Sequence, residues 1–275
     1  ISVGLKKASD INQNIMQMMA SDNMLCHKHQ AISSSSEELT NENYGVSIYG
    51  YGAEAFGYLK AYLGDAMFKK CMRAYYDEWK FKHPLPGDMQ AVYERVSEED
   101  LSWFFKDFLD SDQRLDYSIS ESSEGFVLKN VSSIKAPVPV DVTIARNTNT
   151  TWYSVAPGEE LLIPAIGDDK SAIIDPKGKT LEMNTANNMP HRKLQLKGFF
   201  GKDDPAKNEI YMVPTLGYNI YDKMMWGVGI HNYTLKNKPL QYMVLPMYSF
   251  TTKKLNGVAS VNYTKPLKGI ASFID

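Results

Sequence analysis

The sequence of 275 residues sets 30 lysines and arginines against 32 aspartates and glutamates, a formal net charge of -2, and 43% of it is hydrophobic. That length admits two domains, or one helical domain with β additions. With no basic excess to neutralise a phosphate backbone, no nucleic-acid partner is expected.

The sequence opens at Ile1 with neither a start methionine nor a charged-plus-apolar leader, so it reads as a trimmed piece of a longer protein. No run approaches the roughly 18 apolar residues of a transmembrane helix. Cys26 and Cys71 are the only cysteines; they read as separate buried thiols, with a single bridge as the alternative.

The expected fold class is α+β in three stretches. Residues 1–114 are predicted to be the helical part, with the pattern running from residue 9 to residue 112. After Gly64, the apolar positions Phe68, Cys71, Met72, Tyr75, Tyr76 and Trp79 form the i, i+3, i+4, i+7 stripe of one buried helix face. Gly64-Asp65 supplies a stop for the preceding helix and an N-cap for this one. Asp88 precedes a similar stripe at Met89, Val92, Tyr93 and Val96. Ser97-Glu98-Glu99-Asp100 resembles a capping box opening onto Leu101, Phe104, Phe105, Phe108 and Leu109. The turn His83-Pro84-Leu85-Pro86-Gly87 fits an antiparallel helix hairpin, and the whole reads as a helical bundle.

Residues 115–192 change to β grammar, with short runs at Phe126–Leu128, Val138–Ile144 and Leu161–Pro164. Asn147-Thr148-Asn149-Thr150 and Pro157-Gly158-Glu159 read as turns between them, and a small β-sandwich is expected.

Residues 193–275 alternate over longer spans. Ile210, Met212, Pro214, Leu216 and Tyr218 share a face; Trp226, Val228 and Ile230 oppose Gly227, Gly229 and His231; Leu255, Gly257, Ala259, Val261 and Tyr263 alternate with Asn256, Ser260, Asn262 and Thr264. Turns are expected at Tyr221–Lys223 and Thr251–Lys254. Such runs of antiparallel strands, with Tyr and Trp near their ends, match outer-membrane barrel strands, here truncated; an ordinary soluble antiparallel sheet has the same alternation. A cut barrel would expose strand edges, so membrane association and homodimerisation through these strands are expected.

No complete catalytic motif is present: no HExxH, HxxEH, G-x-S-x-G, P-loop or G-x-G-x-x-G. The five histidines are His27, His29, His83, His191 and His231. Cys26-His27-Lys28-His29 clusters without matching a structural-zinc spacing, His83 sits in a Pro-bounded turn, and Ser33–Ser36 reads as a solvated loop.

A more specific order begins at Asn43-Tyr44-Gly45-Val46-Ser47-Ile48-Tyr49-Gly50-Tyr51-Gly52-Ala53 and continues through Leu59, Leu63-Gly64 and Phe68. It then takes in Tyr75–Pro84, Asp88, Glu94-Arg95-Val96-Ser97 and Asp100-Leu101-Ser102-Trp103-Phe104-Phe105. From residue 30 to residue 117 this resembles the aminopeptidase N-like gluzincin zinc metallopeptidases downstream of their zinc site. The resemblance implies a zinc cofactor and a peptide substrate in the intact parent, and hydrolysis of N-terminal residues from peptides. It makes Tyr49, by its place in the family's Y-x-K-G element, a catalytic residue that donates a hydrogen bond to the oxyanion. The family's lysine is Tyr51 here. The HExxH helix, its downstream glutamate and the Gly-x-Met-Glu-Asn element are expected before Ile1, so this chain alone is expected to bind no zinc and to be inactive. Ile174–Gly178, Asn187-Asn188, Asn208–Tyr211 and Leu216–Asp222 resemble the β-rich C-terminal extensions of Bacteroidetes-type members, which implies a periplasmic or outer-membrane-associated location in a Gram-negative bacterium. The alternatives are a non-catalytic scaffold or interaction module of the same ancestry, for which the Tyr51 substitution speaks, and a barrel-anchored structural protein.

Overall fold

A computed structural model describes residues 29–167, 169–199, 207–234, 238, 240–266 and 273–274. The expected helical pattern over residues 9–28, with Cys26 and His27, lies outside the described residues. The architecture is α+β, 27% helical and 38% strand, with several antiparallel sheets, none closed into a barrel among the described residues. The chain divides into two compact units, His29–Pro190 and a second containing His191–Asp275.

In the first unit a short helical turn, Asn41–Asn43, runs into a π-helix, Tyr44–Tyr51, and then into α1 (Gly52–Leu63). Gly64, at φ 79, ends α1 and starts α2 (Asp65–Trp79). Asp65 is therefore the first helical residue rather than the expected cap, and its carboxylate holds Lys60 at 2.9 Å and Lys69 at 2.6 Å. Only Cys71 of the predicted α2 stripe is fully buried; Met72 and Tyr76 are exposed. Periodicity names a face, but the depth of its burial depends on what packs there.

α3 (Pro86–Ser97) starts two residues before Asp88, which accepts the Leu85 N–H at 2.7 Å from within the first turn. Ser97 ends α3 instead of capping the next helix: Glu98 takes the left-handed conformation at φ 60, and Asp100 Oδ1 accepts the Ser102 N–H at 2.9 Å. A second π-helix, Trp103–Leu109, follows. A wider turn lets neighbouring residues point more nearly the same way, and Trp103, Phe104, Phe105 and Phe108 are all buried.

Six strands complete this unit: β1 (Tyr117–Ser122), β2 (Gly125–Asn130), β3 (Val138–Ile144), β4 (Asn147–Tyr153), β5 (Glu160–Pro164) and β6 (Lys170–Ile174). They form two three-stranded sheets ordered β1-β2-β5 and β4-β3-β6. The expected turn at Asn147–Thr150 is instead the start of β4. The reversal lies at Ala145 and Arg146, at φ 48 and 69, the paired positive values of a type I′ hairpin turn. The polar run suits an exposed strand: Thr150 donates to Asp141 across the ladder at 2.5 Å, and Thr143 and Thr148 meet at 2.8 Å. Pro157-Gly158 does form the expected turn, with Glu159 N–H on Ala156 O at 3.0 Å and Gly158 at φ 79.

One hydrophobic cluster joins α1, the second π-helix and both sheets, from Ala55 to Ile174. Trp152 of β4 packs on Tyr58 and Tyr62 of α1, and the Tyr58 hydroxyl donates to Pro137 O. Tyr117 O–H serves Ala136 O and Val155 O at 3.0 and 3.1 Å and accepts the Val155 N–H, so a buried phenol closes one end of the module.

Among its described residues, the second unit holds a five-stranded sheet ordered β11-β10-β9-β8-β7. Its strands are β7 (Lys193–Gly198), β8 (Lys207–Asn219), β9 (Lys223–His231), β10 (Leu240–Ser249) and β11 (Lys254–Tyr263); a two-residue pair, β12 (Lys265–Pro266) and β13 (Phe273–Ile274), stands apart. Reversals at residues 220–222 and 250–253 enforce the antiparallel hairpins that alternation predicts. β7 departs from the expected all-antiparallel order and runs parallel to β8.

Candidate functional site

Tyr49, the predicted catalytic residue, stands in the first π-helix. Its local fold begins at Thr40, whose hydroxyl accepts the Asn43 N–H at 3.2 Å, while Gln30 Oε1 accepts from Thr40 N at 2.8 Å and Asn43 Nδ2 at 3.0 Å. Ser47 O–H donates to Asn43 Oδ1 at 3.3 Å, and Gly52 N–H reaches back five residues to Ser47 O. This five-residue step changes which side chains meet. At 3.6 residues per turn, Tyr44 and Tyr49 would stand about 140° apart; in the wider π-turn they share a side, their rings edge to face at 6.1 Å.

Burial separates the tyrosines of this region. Tyr49 is 65% exposed, whereas Tyr51, Tyr58 and Tyr93 are at most 1% exposed. Tyr51 faces inward under Arg114, whose guanidinium carbon lies 5.3 Å from the ring centroid. Arg114 NH1 donates to Ser111 O and Gln113 O at 3.2 and 2.7 Å, and burial pulls its pKa down. The position where the resembled family carries lysine is therefore a packing position here. The sequence pattern missed this pair, because nothing local links Tyr51 to a residue beyond the second π-helix.

Among the histidines, His29 is buried with Nε2 2.5 Å from Asp112 O. His83 is exposed in its turn. His231 lies buried between the rings of Tyr211 and Tyr233, its Nδ1 accepting the Tyr233 N–H at 3.2 Å; desolvation lowers its pKa. Among the described residues, no group of three His, Cys, Asp or Glu side chains could hold a metal ion, and Cys71 is a free, buried thiol.

The strongest buried electrostatics lie in the β module and were not foreseen. Glu182 is 4% exposed and accepts Tyr117 N–H at 3.1 Å and Asn188 Nδ2 at 2.5 Å. Burial and the neighbouring Asp175 carboxylate raise its pKa well above the usual range. Asp175 folds its own loop, accepting Lys179 N–H at 2.8 Å and both Thr180 N–H and O–H at 2.7 Å. Burial raises the Asp175 pKa as well. An open groove of about 480 Å³ lies elsewhere in the module, lined by Val142, Ile144, Asn147, Asn149, Tyr153 and Ile163 among others, and by none of the Tyr49 segment.

The sequence matches no protein-family model and no curated protein.

Proposed function

We propose that this chain is the C-terminal part of an aminopeptidase N-like zinc metallopeptidase that removes N-terminal residues from peptides. Tyr49 is then the phenol that donates a hydrogen bond to the oxyanion of the tetrahedral intermediate. In this reading the helices belong to the bundle of the catalytic unit and the two small sheets are a β-sandwich spacer. The observation that supports it is the exposure of Tyr49: while Tyr51, two residues on, packs inward, this ring stands 65% exposed beside the half-exposed Tyr44 on a hydrogen-bonded π-turn. A single preorganised donor of this kind contributes about 2.7–4 kcal/mol to an oxyanion-forming transition state. The described residues do not fit a zinc ion, since no three ligating side chains converge, and no step is assigned to the metal.

The test is to express the complete reading frame that contains these residues and measure zinc content and aminopeptidase activity, then to repeat both with Tyr49→Phe. The expected result is a kcat lowered about 10²–10³-fold with zinc content unchanged; an unchanged kcat sinks the role of Tyr49. The second reading, a non-catalytic scaffold of the same ancestry, is favoured by Tyr51, whose burial replaces the family's lysine with a packing contact. A complete protein without bound zinc or peptidase activity supports that reading.

A further inference from the structure

The five-stranded sheet leaves a continuous apolar face open. Register places Met212, Leu216 and Tyr218 of β8 beside Ile230, Trp226 and Met224 of β9. Ile230 and Trp226 lie beside Val244 and Tyr248 of β10, and these beside Ala259 and Leu255 of β11. Leu194 and Leu196 of β7 continue the same face. This face is apolar and open: Leu216 and Tyr218 are 65% exposed, Trp226 61%, Val261 68% and Leu255 72%. The opposite face is covered along β8–β10 and mixed in character: Glu209, Tyr211, Met225, His231 and Ser249 are at 5% exposure or less, while at β11 Val258 is 59% exposed. Gly217, Gly227 and Gly229 also lie on it, beneath the side chains of Met247 and Leu245. An antiparallel sheet in water turns its more apolar face to the core; here the more apolar face is the open one, and the covered face holds the buried Glu209, His231 and Ser249.

We propose that β8–β11 are membrane-embedded strands whose apolar face contacts lipid hydrocarbon while the Glu209–His231 face lines the inside. Three observations select lipid over a protein partner. No charged residue occurs on the apolar face of any of the five strands, whereas protein interfaces carry hydrogen bonds every 100–200 Å² and a polar rim. β9, β10 and β11, at 9, 10 and 10 residues, match the ~9–11 residues of a tilted transmembrane strand, and β8, at 13, exceeds it. The aromatics cluster at the two ends, with Tyr218, Trp226, Tyr248 and Phe250 by the hairpin turns and Tyr242 and Tyr263 at the other, around an aliphatic middle of Met212, Val228, Ile230, Val244 and Ala259. That is the distribution of two interfacial girdles around a hydrocarbon band. The inference is independent of Tyr49 and of any peptidase activity.

The experiment uses the full chain with Cys26→Ser and a single added cysteine, Val261→Cys or Asn262→Cys. These are neighbours on β11 that point to opposite faces, and both are exposed, so neither change strains the fold. Each is labelled with an environment-sensitive fluorophore and mixed with phosphatidylcholine–phosphatidylglycerol vesicles containing doxyl-quenched lipid. The expected result is a blue shift and strong quenching at position 261, with position 262 several-fold less quenched. Equal, water-like emission at both positions, or a chain that stays off vesicles as a monomer, overturns the proposal. Protection of position 261 without lipid, together with a doubled mass, overturns it in favour of a second copy covering the face.

Discussion

Arg114 lies over the buried ring of Tyr51, with its guanidinium donating to the backbone carbonyls of Ser111, Gln113 and Gln30 and the Asp112 charge nearby. Desolvated cation–π contacts of this kind are worth about 2 kcal/mol. Tyr51→Leu is therefore expected to lower the stability of the first unit by about that amount. Tyr51→Lys sets one buried cation against another and is expected to cost about 3–5 kcal/mol. Urea denaturation of the two variants measures both; equal midpoints for Tyr51→Lys and the parent would refute the packing role.

Glu182 predicts a pH dependence. Its folded pKa is raised, chiefly by burial, so the folded state holds a proton that the unfolded state releases at lower pH. Stability from this group is fully present below the ordinary glutamate range, and it declines as pH rises toward the displaced folded value. Glu182→Gln is expected to flatten that decline and to raise stability at neutral pH. The new carboxamide still accepts Tyr117 N–H, and Asn188, whose Oδ1 has no hydrogen-bond partner, can rotate to accept from it. Urea midpoints at pH 5, 6, 7 and 8 for both proteins test the sign; parallel curves would rule it out.

At the β3–β4 reversal, Ala145 and Arg146 hold positive φ without being glycine. An L-residue there costs about 1–2 kcal/mol. Arg146→Gly relieves the second position and is expected to raise stability by about 1 kcal/mol, with the β3–β4 cross-strand amide protection unchanged in hydrogen exchange. A fall in stability would mean that the arginine side chain makes a contact outweighing the strain.

Two glycines give opposite expectations. Gly57, in α1, has open space where a Cβ would stand, so Gly57→Ala is expected to stabilise by about 0.5–1 kcal/mol. A Cβ on Gly227 would run into Pro246 O and Met247 of the neighbouring strand, so Gly227→Ala is expected to part β9 from β10. Thermal melts followed by circular dichroism separate the two; a Gly227→Ala protein as stable as the parent would show that β10 can yield.

The hairpins of residues 207–263 were legible because alternation has period two and the register of paired strands preserves it. The start of β4 was not, because Asn147-Thr148-Asn149-Thr150 has turn composition while the real turn, Ala145-Arg146, has none of it. Helix positions were legible from apolar spacing, yet the two π-helices were not: i, i+4 counting carries no signal for an extra residue in the turn. Tyr49 could be singled out by motif order alone; its exposure, and the inward turn of Tyr51 only two residues on, depend on that hidden geometry. The Glu182–Asp175 pair stayed invisible because each residue, read in sequence, is an ordinary polar loop position.

The π-helix at Tyr44–Tyr51 also fixes how the chain tolerates changes of length. It stores one surplus residue between two segments whose phase is set elsewhere, by the Thr40 cap on one side and the packed face of α1 on the other. Deleting Gly45, which has open space around it, rewinds the turn as α-helix, with Tyr44 and Tyr49 four apart and still on one side. The same deletion inside α1 rotates everything beyond it by about 100°. The thread is thus slack where the exposed phenol stands, and that hydroxyl can be advanced or drawn back by one residue's rise, about 1.5 Å, without unseating the core beneath it.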